Sequence, residues 1–142
     1  MSERQRSMRE EQLDDPVYIR WKRQHPHFPG VAKCIDLLRR RNVRAGLVDI
    51  ICHELQANAT AHAEELLAAC HRERDDRVRR ILLGIICEAS LPAAFLLLME
   101  YLRSSDERLR SCAVEGLRRL DTPETRKVLW KAGNLAPTKT VN

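Results

Sequence analysis

Residues 78–87 read VRRILLGIIC, and residues 43–52 read VRAGLVDIIC. The two stretches share the frame V-R-x-x-L-x-x-I-I-C, and a looser third copy, LRSCA, begins at Leu109. The copies lie roughly 30 to 35 residues apart, a spacing typical of repeat proteins in which each copy forms one structural unit. The recurrence therefore predicts that the chain stacks three copies of one unit.

The apolar residues of the three copies align in columns with helical spacing. Neighbouring columns are separated by one, three or four residues, which places them on one stripe of a helix rather than on alternate faces of a strand. The chain is 4% aromatic and has only five glycines, which disfavours a sheet. The columns are Val43/Val78/Leu109, Leu47/Leu82/Ala113, Val48/Leu83/Val114, Ile51/Ile86/Leu117 and, more weakly, Glu54/Ala89/Leu120.

A second amphipathic helix precedes each copy, so the predicted unit is a helical hairpin. One hairpin cannot bury both faces of its helices, and stacked copies can share a continuous core. The apolar positions of the preceding helices are Val31, Cys34, Ile35 and Leu38, then Leu66, Leu67 and Cys70, then Phe95, Leu98, Met99 and Leu102. Helix ends are indicated by Asp75 and Asp76, Pro92, a capping box of Ser104 with Glu107, Pro123 and Gly133.

The third copy carries a resemblance to a known family. Residues 106–120, DERLRSCAVEGLRRL, are similar to the second-helix signature of HEAT repeats, D-x-x-V-R-x-x-A-x-x-A-L-x-x-L, especially the short bacterial type named after phycobilisome lyases. Residues 76–79 and 42–44 resemble it too, with Leu82 in place of the usual alanine and Asn42 in place of aspartate. The similarity extends over about residues 30–133.

The resemblance implies an all-α, armadillo-like helical fold. The expected architecture is a right-handed α-α superhelix, a short α-solenoid of about three hairpins with an N-terminal helical cap. The family also implies that the recurrent Arg44, Arg79 and Arg110 tie adjacent turns together through acidic residues.

The sequence divides into three expected regions. Residues 1–29 form a charged extension and a capping helix, in which Trp21 covers the first hairpin. Residues 30–133 form the repeat array, and residues 134–142 form a flexible tail.

The net charge of +5 raises nucleic acid as a partner, because the basic surplus is concentrated near the N-terminus. On this alternative, arginines contact phosphates and Trp21 stacks on a base. The competing expectation is that Trp21 packs as the cap and the arginines form a solvated face. The residues of this candidate nucleic-acid edge are Trp21, Arg23, Arg40, Arg41 and Arg44.

No cofactor or metal is expected, since His25, His27 and Cys34 lack the spacing of a metal site. The five cysteines are odd in number and lie among apolar residues, which indicates reduced core residues. None of Cys52, Cys87 and Cys112 is expected to be a strongly activated thiolate, because they lie deep inside helices. No apolar run approaches the ~20 residues of a membrane span. The N-terminal residues also lack the apolar stretch of a secretory signal. We therefore expect a cytoplasmic protein without a membrane segment.

The expected function is non-enzymatic protein binding. Stacked second helices offer a broad ridge rather than a closed pocket, which suits an adaptor, regulatory or inhibitory subunit that acts as a monomeric scaffold for another protein. The alternatives are the nucleic-acid binder above and a lyase-type enzyme subunit, for which no catalytic residue can be nominated. The ridge residues, taken from columns that miss the core, are Asp49, His53, Arg80, Glu88, Ser111, Glu115 and Arg119.

Overall fold

The computed structural model describes residues 16–133, and the regular structure in that range is helical. The all-α prediction is therefore confirmed for the described residues. The helices are α1 Pro16–Gln24, α2 Val31–Arg39, α3 Ala45–Ala57, α4 Ala63–Arg72, α5 Asp76–Ala89, α6 Phe95–Tyr101, α7 Glu107–Leu120 and α8 Pro123–Lys131, with a 3₁₀ turn at Pro92–Ala94 before α6. The predicted tail, residues 134–142, and most of the N-terminal extension lie outside the described residues.

The second helices of the later copies begin at aspartate caps. The Asp75 carboxylate accepts a hydrogen bond from the Val78 N–H at 3.0 Å, and Asp106 accepts from the Arg108 N–H at 2.9 Å. Each side chain satisfies a backbone donor that has no partner inside its helix. The caps fix where α5 and α7 begin, and the sequence indicated the first of them, Asp75.

The predicted capping box of Ser104 with Glu107 is wrong. Asp106 is the N-cap of α7, and the Ser104 hydroxyl instead accepts a hydrogen bond from the Asp106 N–H at 3.0 Å in the preceding turn. A reciprocal box is found at α8, where Thr122 and Thr125 each accept from the other's backbone N–H. The Asp106 carboxylate reaches the first-turn donors itself, so Ser104 is not needed at the helix end.

The chain divides into two compact units, Met1–Leu55 and Gln56–Asn142, and the division falls in the last turn of α3. In the second unit, α5 packs against α4 and α7, and α7 packs against α6 and α8. Ile86 and Leu117, which share a predicted column, are both fully buried there. Leu82, Leu83 and Ala113 of the neighbouring columns are buried as well.

The first unit contains α1, α2 and most of α3. Its core includes Trp21 from α1, Cys34 and Leu38 from α2, and Ile50 and Ile51 from α3. Val43 precedes the start of α3 and is half-buried, so the first column of the repeat frame lies outside the helix in this copy. The region boundaries at residues 29 and 133 stay a prediction.

The contact between α5 and α7 depends on Gly116. A Cβ atom at this position would lie 2.6 Å from Cys87 Sγ and 3.1 Å from Leu98 Cδ1, closer than van der Waals contact allows. Gly116 is buried, and it stands where the HEAT signature has its second alanine. Its missing side chain provides the space for the Cys87 thiol.

The Ile86→Ala substitution should lower the free energy of unfolding by about 2–5 kcal/mol, because it leaves a cavity in a fully buried site. That is a large share of the roughly 5–15 kcal/mol that stabilises a small domain. Urea denaturation followed by circular dichroism measures the change. Leu96→Ala is the control, since Leu96 is 75% exposed, and equal losses for the two variants would contradict the burial of this column.

Gly116→Ala should destabilise the protein by about 1–3 kcal/mol through overpacking, although alanine is the better helix former by about 1 kcal/mol. Gly84→Ala on α5 is the matched control, since a Cβ there meets nothing within 4 Å, and it should be neutral or stabilising. In a Cys87→Ala background, Gly116→Ala should cost much less because the obstructing sulfur is gone. An unchanged cost in that background would show that the Cys87 contact is not the cause.

Candidate functional site

The candidate partner-binding residues of the second unit lie on α5 and α7. We call the set of Arg80, Glu88, Ser111, Glu115 and Arg119 the outer ridge. Within each helix its members are four or eight residues apart, which places them on one side. Glu88, Ser111, Glu115 and Arg119 are exposed, and Arg80 is half-buried. The outer ridge therefore offers charged side chains to solvent on the two helices that pack together.

The outer ridge carries both signs of charge. Arg119 Nε lies 3.6 Å from Glu115 Oε2, and both side chains are about half exposed. Such a surface pair contributes little to stability, because solvent screens it. Its side chains remain available to a partner that supplies its own charges.

The two remaining candidates, Asp49 and His53, lie one turn apart on α3 in the first unit. Asp49 is exposed, and His53 is half-buried. In the alignment of the three sequence copies, these two residues occupy the same columns as members of the outer ridge.

The recurrent arginines of the frame have three different environments. Arg79 forms a hydrogen-bonded ion pair with Asp76, which raises the pKa of its guanidinium. Arg110 donates to the Ser104 backbone carbonyl at 2.8 Å rather than to a carboxylate. Arg44 is exposed and forms no ion pair with any residue that the structure describes. Within residues 16–133, Arg79 does have an acidic partner, but Asp76 lies in the first turn of the same helix, so this pair does not tie adjacent turns together as the family implies.

The candidate nucleic-acid edge is basic but lacks an available aromatic face. Arg23, Arg40, Arg41 and Arg44 are exposed, whereas Trp21 is 3% exposed. The Trp21 ring lies 4.2 Å from the His25 ring, measured between centroids. Base stacking requires an accessible ring face, so this conformation gives Trp21 a packing role, as the competing expectation stated.

Two thiols meet between α5 and α7. Cys87 Sγ lies 3.5 Å from Cys112 Sγ and 3.1 Å from the Cys112 carbonyl oxygen, to which it donates. The hydrogen bond between the thiols raises the pKa of Cys87 and lowers that of Cys112. The expectation that none of Cys52, Cys87 and Cys112 is a strongly activated thiolate stays a prediction. Sequence spacing gave no signal, because the two residues are joined by helix packing.

A polar cavity of about 420 Å³ lies among α4, the first turn of α5, α6 and the start of α7. It is lined by His71, Arg79, Glu100, Tyr101 and Asp106 among others. Burial raises the pKa of Tyr101 to about 12 and that of the neighbouring Cys70 to about 11. Both groups are therefore protonated at neutral pH, which suits hydrogen bonding rather than proton abstraction.

Residues 16–133 contain no group of three or more His, Cys, Asp or Glu side chains placed to hold a metal ion. Within the same range, none of the helices has the length and apolarity to cross a bilayer.

The second unit has the features of a helical repeat protein, namely paired helices, aspartate caps at equivalent positions and a recurring buried column. A family model described as HEAT repeats matches residues 63–141, more than half of the chain. The chain belongs to the HEAT-repeat family. HEAT repeats generally mediate protein–protein interactions, and their scaffold is typically non-enzymatic. No curated protein and no solved structure matches the chain.

The thiols should differ in reactivity. Cys112 should react with a maleimide at lower pH than Cys34 and Cys70, because burial raises the pKa of Cys34 to about 12 and that of Cys70 to about 11. Mass spectrometry of labelled peptides across a pH series gives the midpoint for each residue. Cys87→Ala should shift the Cys112 midpoint upward, because it removes the hydrogen bond to the thiolate. Faster labelling of Cys34 or Cys70 would contradict this assignment.

Proposed function

We propose that the protein is an adaptor, regulatory or inhibitory subunit that binds another protein through the outer ridge. The single observation that carries the proposal is the exposure of varied charged side chains on the two second helices whose opposite faces are buried. A face that is not needed for stacking is free to match a partner, and its residues differ between the two copies. This variety suits one specific partner better than a uniform polymer.

The outer ridge also indicates the chemistry of the partner. Acidic Glu88 and Glu115 lie among basic Arg80 and Arg119, so a complementary surface carries both signs of charge. Interfaces of this kind gain specificity and association rate from matched charges more than they gain affinity. A polyanion such as nucleic acid would meet the two glutamates as like charges.

We also propose that the protein is cytoplasmic. Its five cysteines, all free, fit a reducing compartment better than an oxidising one. We further propose that it acts as a monomer until it meets its partner.

Charge reversal on the outer ridge tests the proposal. Proteins that co-purify with the tagged chain from its own cell are identified, and each one is measured for direct binding to the purified chain. Glu88→Lys and Arg119→Glu should each lower the affinity for the specific partner by about tenfold or more, because like charges then face each other. Both side chains are exposed, so folding should be kept.

The matched controls are Glu64→Lys on α4 and Lys127→Glu on α8, which are exposed and make the same changes in net charge. They should leave the affinity within about twofold of the unmodified protein, because solvent-exposed charges outside an interface are largely screened. Binding that survives both ridge variants, or that falls equally with the controls, would refute the outer ridge as the interface.

A further inference from the structure

We propose that the first unit contains a second binding site, which takes an acidic peptide segment and buries one of its apolar side chains. The site is a cavity of about 450 Å³ formed by residues of α1, α2, α3 and the turn before α3. We call it the α1 pocket. Its volume lies within the roughly 300–1,000 Å³ of typical ligand sites. It belongs to a different unit from the outer ridge, and it does not depend on the function proposed for that ridge.

The charged residues that line the α1 pocket in the described part of the chain are all basic. Three arginines line it, Arg20, Arg40 and Arg44, and none of its lining residues within residues 16–133 is a carboxylate. Arg20 and Arg44 form no ion pair within residues 16–133. Arg40 lies 3.7 Å from Asp36, but both side chains are more than half exposed, so the pair is weak. A ligand that neutralises these guanidinium groups has to be an anion.

The wall between the arginines is apolar. Val17, Trp21, Leu37, Val43 and Leu47 line the cavity. Leucine and valine contacts of this kind favour a ligand with an apolar body, because its burial removes apolar surface from water. The occupant therefore combines negative charge with at least one apolar group.

Two buried ring nitrogens add a polar requirement. Trp21 Nε1 and His25 Nδ1 have no hydrogen-bond partner among the described residues, although both atoms are shielded from solvent. Both residues line the α1 pocket. Buried polar atoms are nearly always paired, so these two nitrogens mark hydrogen-bonding capacity beside the α1 pocket that residues 16–133 leave unsatisfied.

A peptide fits this site better than nucleic acid. The Trp21 ring is covered and unavailable for stacking on a base. Arg23 and Arg41, the other arginines of the basic edge, do not line the cavity. A phosphate backbone would use the whole basic edge, whereas the α1 pocket selects Arg20, Arg40 and Arg44 around an apolar wall.

Fluorescence anisotropy with a defined peptide series tests the proposal on the full chain. The probes are labelled peptides of sequence EDEDXDEDE, in which X is each of the twenty amino acids. Peptides with Leu, Met or Phe at X should bind about tenfold more tightly than those with Gly or Ser, because the pocket buries the apolar side chain. A labelled single-stranded DNA of similar charge is the comparison probe.

Two matched pairs of variants distinguish binding at the α1 pocket from non-specific electrostatic attraction to the basic surface. Arg20→Glu and Arg44→Glu should each lower the affinity for the peptide with Leu at X by about fivefold or more, because each reverses a charge at the pocket. Arg23→Glu and Arg41→Glu change the net charge equally but lie outside it, so they should weaken binding by at most about twofold. Arg20→Gln and Arg44→Gln are second variants in case a reversal disturbs folding, which thermal denaturation monitors.

Trp21 provides an independent signal. The chain has two tryptophans, and Trp130 is 68% exposed, so a Trp130→Phe variant reports on Trp21 alone. Its emission should change when the Leu peptide binds, and the change should saturate with the anisotropy.

Four outcomes would overturn the proposal. Equal affinity for every X would mean that charge alone determines binding. Equal losses of affinity in both pairs of variants would show that the peptide does not bind at the α1 pocket. DNA binding that is tighter than the Leu peptide and sensitive to Arg20→Glu would assign the site to nucleic acid. No measurable binding by any peptide of the series would reject an acidic peptide as the occupant.

Discussion

The packing of α5 against α7 is the interaction on which the rest of the second unit depends. Ile86 and Leu117 are fully buried, and the Cys87 thiol occupies space that exists because residue 116 is glycine. Neither helix could bury its apolar stripe without the other, since a single hairpin leaves one face open. The stacking contact also determines which side of each helix faces solvent. The exposure of the outer ridge is therefore a consequence of the same buried columns.

The architecture could be predicted from the sequence because its signals are local and repeated. The columns with Ile51, Ile86 and Leu117 identified the buried face, and Asp75 identified a helix start. The exposure of Glu88 and Glu115 followed from the same periodicity. Each of these features depends on residues within one helix, whose geometry is fixed by 3.6 residues per turn.

The features that the sequence did not reveal depend on contacts between helices. Cys87 and Cys112 meet through packing, and the α1 pocket gathers Arg20 and Arg44 from elements separated along the chain. The error at Ser104 has a similar origin, because two nearby residues could both cap α7 and the turn geometry decides between them. The arginines of the frame were assigned one role by family, yet their partners differ because the acidic neighbours differ in each copy.

The titratable groups of the second unit also bear on whether it performs chemistry. Catalytic sites typically push the pKa values of neighbouring groups in opposite directions, so that one acts as acid and the other as base. Burial raises the pKa of Cys70 and of Tyr101, which leaves both protonated and suits a structural role. The pKa values of Cys87 and Cys112 do shift in opposite directions. Cys87 is buried where α5 meets α7, however, and the hydrogen-bond partner of its thiol is Cys112. The pair therefore belongs to the helix contact that positions the outer ridge.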